Sequence, residues 1–324
     1  MKFAIVGAGA VGAYLGARMA RAGIDVVLFG RGPHRAAIEV EGVRVRSPEG
    51  DFTARPAVAA RLEEIGAADA VILGVKAHSL AELAPRLAPL LGPETVVIST
   101  QNGIPWWFFR SFGGEWEGLR LESVDPGGAV SEAIETRRIV GAIVYFSTEI
   151  VAPGVVRHIE GNRVSLGEPD GSRSDRCRRV AETLIASGLR APVTARLRHE
   201  IWVKLLGNVA FNPISALTGA TLAAMARDPD VSALVRRVME EVEEVARRLG
   251  FELPVSIDQR IAGAEKVGEH KTSMLQDLEA GRPLELEAVA GSVLEIADRL
   301  GVPMPHTRAV YGCAKLRAAA RGAR

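Results

Sequence analysis

The chain opens on a short apolar run, Lys2–Val6, passes through the glycine-dense stretch Gly7–Gly12, and continues as Val11–Ala22, whose small residues fit a helix stopping at Gly23. A strand, a tight turn and a helix are the first elements predicted. Asp25–Phe29, Ala70–Val75 and Thr95–Ser99 repeat the short apolar run of a strand buried on both faces, with helix-like stretches between them. Strands alternating with helices predict a parallel, doubly wound sheet. From Ile139 to Gly167 the pattern changes to β-rich segments with turn residues, GAIVYFS, GVVRHIEGN and RVSLGE, so extra strands are expected to close the far edge of that sheet. After Pro192 the pattern is almost wholly helical. Asp228 and Pro229 fit an N-cap and first helical residue, and Val231, Leu234, Val235, Val238, Val242, Val245 and Leu249 form one apolar stripe ending before Gly250. Such a helix packs in a bundle. Two domains are expected, 1–192 and 193–324, with the boundary inside 190–196 and no internal repeat.

Composition narrows what those domains can do. At 324 residues and 48% apolar content, the chain can bury two cores. Forty Lys plus Arg against 39 Asp plus Glu leaves no broad basic field for nucleic acid or an anionic membrane, so small molecules are the expected partners. Phe3–Val6 is too short for a signal peptide, and no run approaches the roughly 20 apolar residues of a membrane span. Cys177 and Cys313 fit neither a zinc spacing nor a disulfide framework, which favours a reducing compartment, the cytoplasm by default. The six histidines, at 34, 78, 158, 199, 270 and 306, form no ligand pair, and no metal site is expected.

The chemistry must then reside in other motifs. Gly7-Ala8-Gly9-Ala10-Val11-Gly12 follows a strand and opens a helix, where glycines allow a tight turn and close approach of a pyrophosphate to helix N–H groups. That context points to a dinucleotide rather than a merely glycine-rich turn. The next strand ends Leu28-Phe29-Gly30-Arg31, without the acid that binds the ribose hydroxyls of NAD. Arg31 alone reads equally as a solvated loop residue or a partner for a 2′-phosphate, and the missing acid favours NADP. Val75-Lys76-Ala77-His78 and Gln101-Asn102-Gly103 stand at the ends of two further strands, where ligands bind in open α/β sheets; a surface lysine and an ordinary Asn-Gly turn are the plain alternatives.

The most informative stretch is His199–Pro213. Lys204, Asn208 and Asn212 recur at i, i+4 and i+8 on a helix otherwise built of Ile201, Trp202, Val203, Leu205, Leu206, Val209 and Phe211. A polar stripe on a buried helix must face a partner or a ligand, unless the lysine simply reaches the surface beside two capping asparagines. Pro213 predicts a kink or an end at Asn212. Farther on, Ser273 with Gln276 fits a capping box, Gly281 a helix end, Pro283 a position near the start of the next helix, and Glu285 a first-turn carboxylate, all explicable by local structure. Trp106-Trp107-Phe108-Phe109 reads as core, as the face of a homodimer or as a pocket wall, core being favoured.

Taken together, GAGAVG, Arg31, VKAHS, QNG, IWVKLLGNVAFNP and SMLQDLEAGRPLELE make the chain resemble the ketopantoate reductases over essentially its whole length. The resemblance implies a Rossmann domain followed by an all-helical domain like that of 6-phosphogluconate dehydrogenase, with catalysis in the cleft between. It implies Lys204 as general acid; Asn208, Asn212 and Ser273 as substrate ligands; Glu285 touching both the nicotinamide side of NADPH and the lysine; and Lys76, Asn102 and Ser147 on the cofactor side. Glu287, Ala290, His270 and the absence of an asparagine near Leu222 depart from the pattern on the substrate side. The implied activity is NADPH-dependent reduction of 2-dehydropantoate to pantoate. The alternatives are a related reductase or D-2-hydroxyacid dehydrogenase acting on another 2-oxo acid, as D-mandelate dehydrogenase does, and a non-catalytic NADP-binding regulator. The intact Lys204, Asn208 and Ser273 set argues against the regulator, which needs only the nucleotide half.

Overall fold

Residues 1–322 are described in a computed structural model. They divide into two compact units, the first comprising Met1–Gln101, Trp106–Arg120 and Gly127–Leu197, the second Asn102–Pro105, Leu121–Pro126 and the chain from Arg198 onward. The division is thus not a single cut: two short stretches of the first two hundred residues belong to the second unit.

In the first unit the apolar runs become strands because each can be covered on both faces. The strands are β1 (Phe3–Val6), β2 (Val26–Phe29), β3 (Val43–Arg46), β4 (Phe52–Ala54), β5 (Ala57–Ala59), β6 (Ala68–Leu73), β7 (Leu91–Ser99), β8 (Ile139–Ala152) and β9 (Val155–Gly167). Around them lie α1 (Ala10–Arg21), α2 (Gly32–Glu41), the short α3 (Leu80–Leu83) and α4 (Ala129–Ala133), and α5 (Asp175–Ala186). The sheet order among the described residues is β4-β3-β9-β8-β7-β6-β1-β2-β5. From β5 through β2, β1, β6 and β7 to β8 every pairing is parallel, which is the Rossmann order with its reversal point between β1 and β6. Phe3, Ile5, Tyr14, Leu15, Leu28, Ile72, Ile98 and Val140 fill the core beneath α1. Trp106 to Phe109 are 4% exposed or less and belong to the packed interior.

Two expectations need correction here. The β8–β9 hairpin does not close the sheet's far edge: β9 pairs in parallel with β3, and β4 forms the edge. The edge strand's neighbour was hidden because β3 reads Val-Arg-Val-Arg, valines buried and arginines exposed, an alternation with no apolar run. In addition, β6 ends at Leu73 rather than Val75, so Lys76 stands in the connection after the strand, capping a single 3₁₀ turn over Ala77–Ser79.

From Arg198 the described residues are helical without a strand: α6 (Leu197–Thr218, reaching back one residue into the first unit), α7 (Leu222–Arg227), α8 (Pro229–Arg248), α9 (Ile257–Val267), α10 (Ser273–Glu279), a π turn over Glu287–Gly291, α11 (Ser292–Leu300) and α12 (Pro305–Gly322). Asp228 caps α8 through the amides of Asp230 and Val231, and Val235, Val238, Met239, Val242, Val245 and Ala246 form its buried face. Glu241 on that helix accepts the backbone amides of His306 and Thr307 and the Thr307 hydroxyl, fixing the start of α12. The inserted stretch 121–126 is pinned to α11, where Glu295 accepts the Glu122 and Ser123 amides and the Ser123 hydroxyl. No described helix is long and apolar enough to cross a membrane.

Local signals near α10 and α6 also resolve differently from their expectation. Thr272, not Ser273, caps α10, accepting from the Leu275 amide, while the Gln276 amide group donates to the Lys271 carbonyl. A threonine with the same capping ability stands one residue earlier, and the helix starts there. Pro283 lies outside the following helix, which begins at Leu286, so Glu285 immediately precedes it; the carbonyl of Glu285 accepts the Val289 amide. Pro213 neither ends nor interrupts α6, which continues to Thr218 because its flanking residues are buried and packing outweighs one missing amide.

Candidate active site

In the first unit, the chain leaves β1 at Gly7 with φ of +112°, a conformation glycine adopts without strain, and a Cβ there would lie 2.7 Å from the Val75 side chain. At Gly12 a Cβ would stand 2.0 Å from the Gly7 carbonyl oxygen, so this glycine lets α1 fold back against the turn. Gly9 is different. A Cβ on Gly9 would meet nothing within 4 Å, and as N-cap of α1 it offers no side chain to the first-turn amides. Protein packing therefore does not require glycine at position 9, whereas a phosphate laid on that helix end does. The turn spanning Gly7, Ala8, Gly9, Ala10, Val11 and Gly12 stands at the sheet's reversal point, beside the ends of β1 and β6, and fits a dinucleotide.

Arg31 occupies the N-cap of α2 directly beyond β2, exposed, with none of the described carboxylates paired to it. Gln101, expected at a strand end where ligands bind, turns its side chain to the protein instead: its amide donates to the carbonyls of Leu73 (2.7 Å) and Val75 (3.0 Å), while Thr100 also donates to Leu73. Gln101 thereby braces the ends of β6 and β7 and the connection carrying Lys76. Ser147 lies far from that brace along the sheet: β7 and β8 part at Ser99↔Gly141, and Ser147 stands six residues later, at an irregular register opposite Glu160.

The second unit assembles the polar groups of the helical domain. Lys204 on α6 donates to Asn102 Oδ1 at 2.7 Å, and Asn102 Nδ2 donates to Glu285 Oε2 at 3.3 Å. Residues more than a hundred positions apart in sequence thus form one lysine–amide–carboxylate chain. Burial among the apolar side chains of α6 pulls the Lys204 ammonium from 10.5 down to about 8, the Glu285 carboxylate acting in the opposite direction. Asn208 follows one turn later, part-buried, and Asn212 a turn beyond it, buried. The stripe continues to Ser215, whose hydroxyl accepts from Thr272 at 2.9 Å, which brings the start of α10 and the exposed Ser273 to the end of the α6 stripe. Ser215 and Thr272 were missed in the sequence, although Ser215 keeps the helical spacing of Lys204, Asn208 and Asn212.

Residues 3–106 match the family model described as ketopantoate reductase PanE/ApbA, and residues 196–318 match its C-terminal counterpart. A 2-dehydropantoate 2-reductase of Mesorhizobium japonicum is 48% identical over 323 residues, 99% of each chain. The chain belongs to the ketopantoate reductase family. A provisionally designated ketopantoate reductase of Ralstonia solanacearum MolK2 superposes with a TM-score of 0.94 at 40% identity, covering 99% of this chain and 98% of that one. A D-mandelate dehydrogenase in ternary complex with NADH and anilino(oxo)acetate shares the fold, with a TM-score of 0.85 over 99% of both chains at 21% identity. Membership of the ketopantoate reductase family makes the protein an oxidoreductase.

Proposed function

We propose that the chain reduces 2-dehydropantoate to (R)-pantoate with NADPH, Lys204 acting as the proton donor. The observation that carries this reading is the Lys204 ammonium held at 2.7 Å by Asn102 Oδ1 in a helix otherwise apolar, next to Glu285. Gly7 to Gly12 would hold the pyrophosphate of the nicotinamide cofactor, which when bound would supply the hydride for the ketone carbon. Lys204 polarises the ketone oxygen and gives it a proton as negative charge develops there. A lysine titrating near 8 rather than 10.5 remains charged at neutral pH and releases its proton more readily than an exposed lysine. Asn102 orients the ammonium, and Glu285 favours its recharging. Asn208, Asn212 and Ser273 supply neutral donors for the carboxylate and hydroxyl of the substrate. Arg31 receives the 2′-phosphate of the cofactor, and Lys76 and Asn102 complete the cofactor side.

Support comes from the relative named 2-dehydropantoate 2-reductase at 48% identity and from the glycine turn's fit to a pyrophosphate. A second reading keeps this machinery and changes the 2-oxo acid. It is favoured by Glu287, whose carboxylate accepts the Tyr311 hydroxyl at 2.7 Å and which departs on the substrate side from the pattern that the resemblance implies. A panel of 2-oxo acids assayed with NADPH and with NADH separates the two: the highest kcat/KM falls on 2-dehydropantoate with NADPH. A larger value for an aromatic 2-oxo acid would transfer the assignment to the second reading.

A further inference from the structure

The helix that follows Glu285 does not begin as a regular α-helix. Over Glu287–Gly291 it makes a π turn in which the Ser292 amide donates to the Glu287 carbonyl. In an α-helix that amide would serve Ala288, four residues back. The π register thus withdraws the Ser292 amide from the Ala288 carbonyl, and two other donors reach that oxygen: the Ile104 amide at 3.0 Å and the Ser292 hydroxyl at 2.6 Å. Ser292 is fully buried, so its hydroxyl replaces the missing amide for a carbonyl that water does not reach.

What this carbonyl holds is the stretch 102–105. Gly103 has φ of +88°, and a Cβ on it would stand 2.0 Å from the Ala288 oxygen, so the backbone there is seated on the π turn with no room for a side chain. The preceding residue is Asn102, which accepts from Lys204 and donates to Glu285. Its backbone neighbours are therefore tied to Ala288, and its side chain is tied to Glu285, three residues earlier on the same segment.

We propose that Ser292 is a positioning residue for the proton donor, holding the Ala288 carbonyl in the π register so that Ile104 and Gly103 fix Asn102 against Lys204. The inference rests on Lys204 being the acid. Without the Ser292 hydroxyl, the turn can relax toward an α register, in which the Ala288 carbonyl takes the Ser292 amide and turns from Ile104. Asn102 then loses its fixed place and Lys204 its acceptor.

The test compares the full-length wild type with Ser292→Ala, with Ser292→Cys, which keeps the volume and donates weakly, and with Lys204→Ala. For Ser292→Ala, kcat should fall about three- to tenfold, the scale of one hydrogen bond, with the KM for NADPH within about twofold. The alkaline limb of kcat/KM should move to lower pH, because Asn102 and Glu285 are the groups that favour the Lys204 ammonium and one of them is loosened. Amide exchange in the peptide spanning 102–105 should accelerate, and Ser292→Cys should fall between the two. An unchanged kcat and alkaline limb in a folded Ser292 variant, even with lowered thermal stability, would overturn the proposal and leave a merely structural serine. Retained turnover in Lys204→Ala would instead overturn the acid assignment, a separate result.

Discussion

Lys204 should titrate within the range of an ordinary rate assay, with a sign fixed by its surroundings. Burial lowers its ammonium to about 8 from 10.5, and the charge of Glu285 opposes that fall. A proton donor must be charged, so kcat/KM for ketone reduction should be level below about 8 and then drop roughly tenfold per pH unit. Oxidation of the hydroxy acid needs the neutral amine and should rise across the same interval. Glu285→Gln removes the opposing charge, so its alkaline limb should begin at lower pH than in the wild type; a variant that merely weakened catalysis would lower the plateau without moving the limb. The same displacement bears on stability. The folded value lies below the unfolded one, so the unfolded chain holds more protons between about 8 and 10.5, and stability rises with pH through that window. Keeping that lysine charged in its buried setting at neutral pH costs the folded chain roughly 3 kcal/mol. Lys204→Met, which keeps the stem and removes the charge, should therefore raise Tm while abolishing turnover. A reduction rate that stays level to about pH 10, or a Lys204→Met protein with lowered Tm, would refute the reasoning.

Three further outcomes are expected. Arg31→Ala should weaken NADPH about ten- to a hundredfold, the worth of a charge-assisted hydrogen bond, and spare NADH; an equal loss for both cofactors removes Arg31 from the site. Gly9→Ala should keep Tm almost unchanged, since the added methyl meets no protein atom within 4 Å, while cofactor affinity measured by titration falls about tenfold or more. Undiminished affinity would mean that the pyrophosphate does not lie on this turn. Glu241→Ala should cost about 2 kcal/mol by stripping the start of α12 of its acceptor. Hydrogen bonds from Thr307 and His306 hold the Glu241 carboxyl below its usual range despite burial, so its contribution is present above that range and is lost as pH falls through the lowered value. Equal acid stability of wild type and variant would count against that.

How much of this was legible in the residues depended on the range over which each feature is determined. The Rossmann strands could be read because each buries an apolar run on both faces, and the α6 stripe because Lys204, Asn208 and Asn212 repeat at helical spacing. The edge pair β3–β4 could not, since its buried face is only every second residue and its exposed face is arginine. Asn102 was visible as an Asn-Gly turn, but its bonds to Lys204 and Glu285 join positions 102 and 183 residues away, a distance over which no local pattern speaks. The cap of α10 was misread by one residue because Thr272 and Ser273 are chemically equivalent caps, and Thr272 was decided by its bond to Ser215 on α6. The π turn has no sequence signature at all. It becomes necessary only when the Ala288 carbonyl is seen to serve Ile104 and Ser292 together.

Lys204→Ala assayed with NADPH and 2-dehydropantoate tests the acid assignment most directly. The folded variant should lose about a hundredfold or more in kcat, the typical contribution of a general acid, while the Kd for NADPH, measured by fluorescence titration, stays near that of the wild type. Wild-type kcat in the folded Lys204→Ala protein would contradict it.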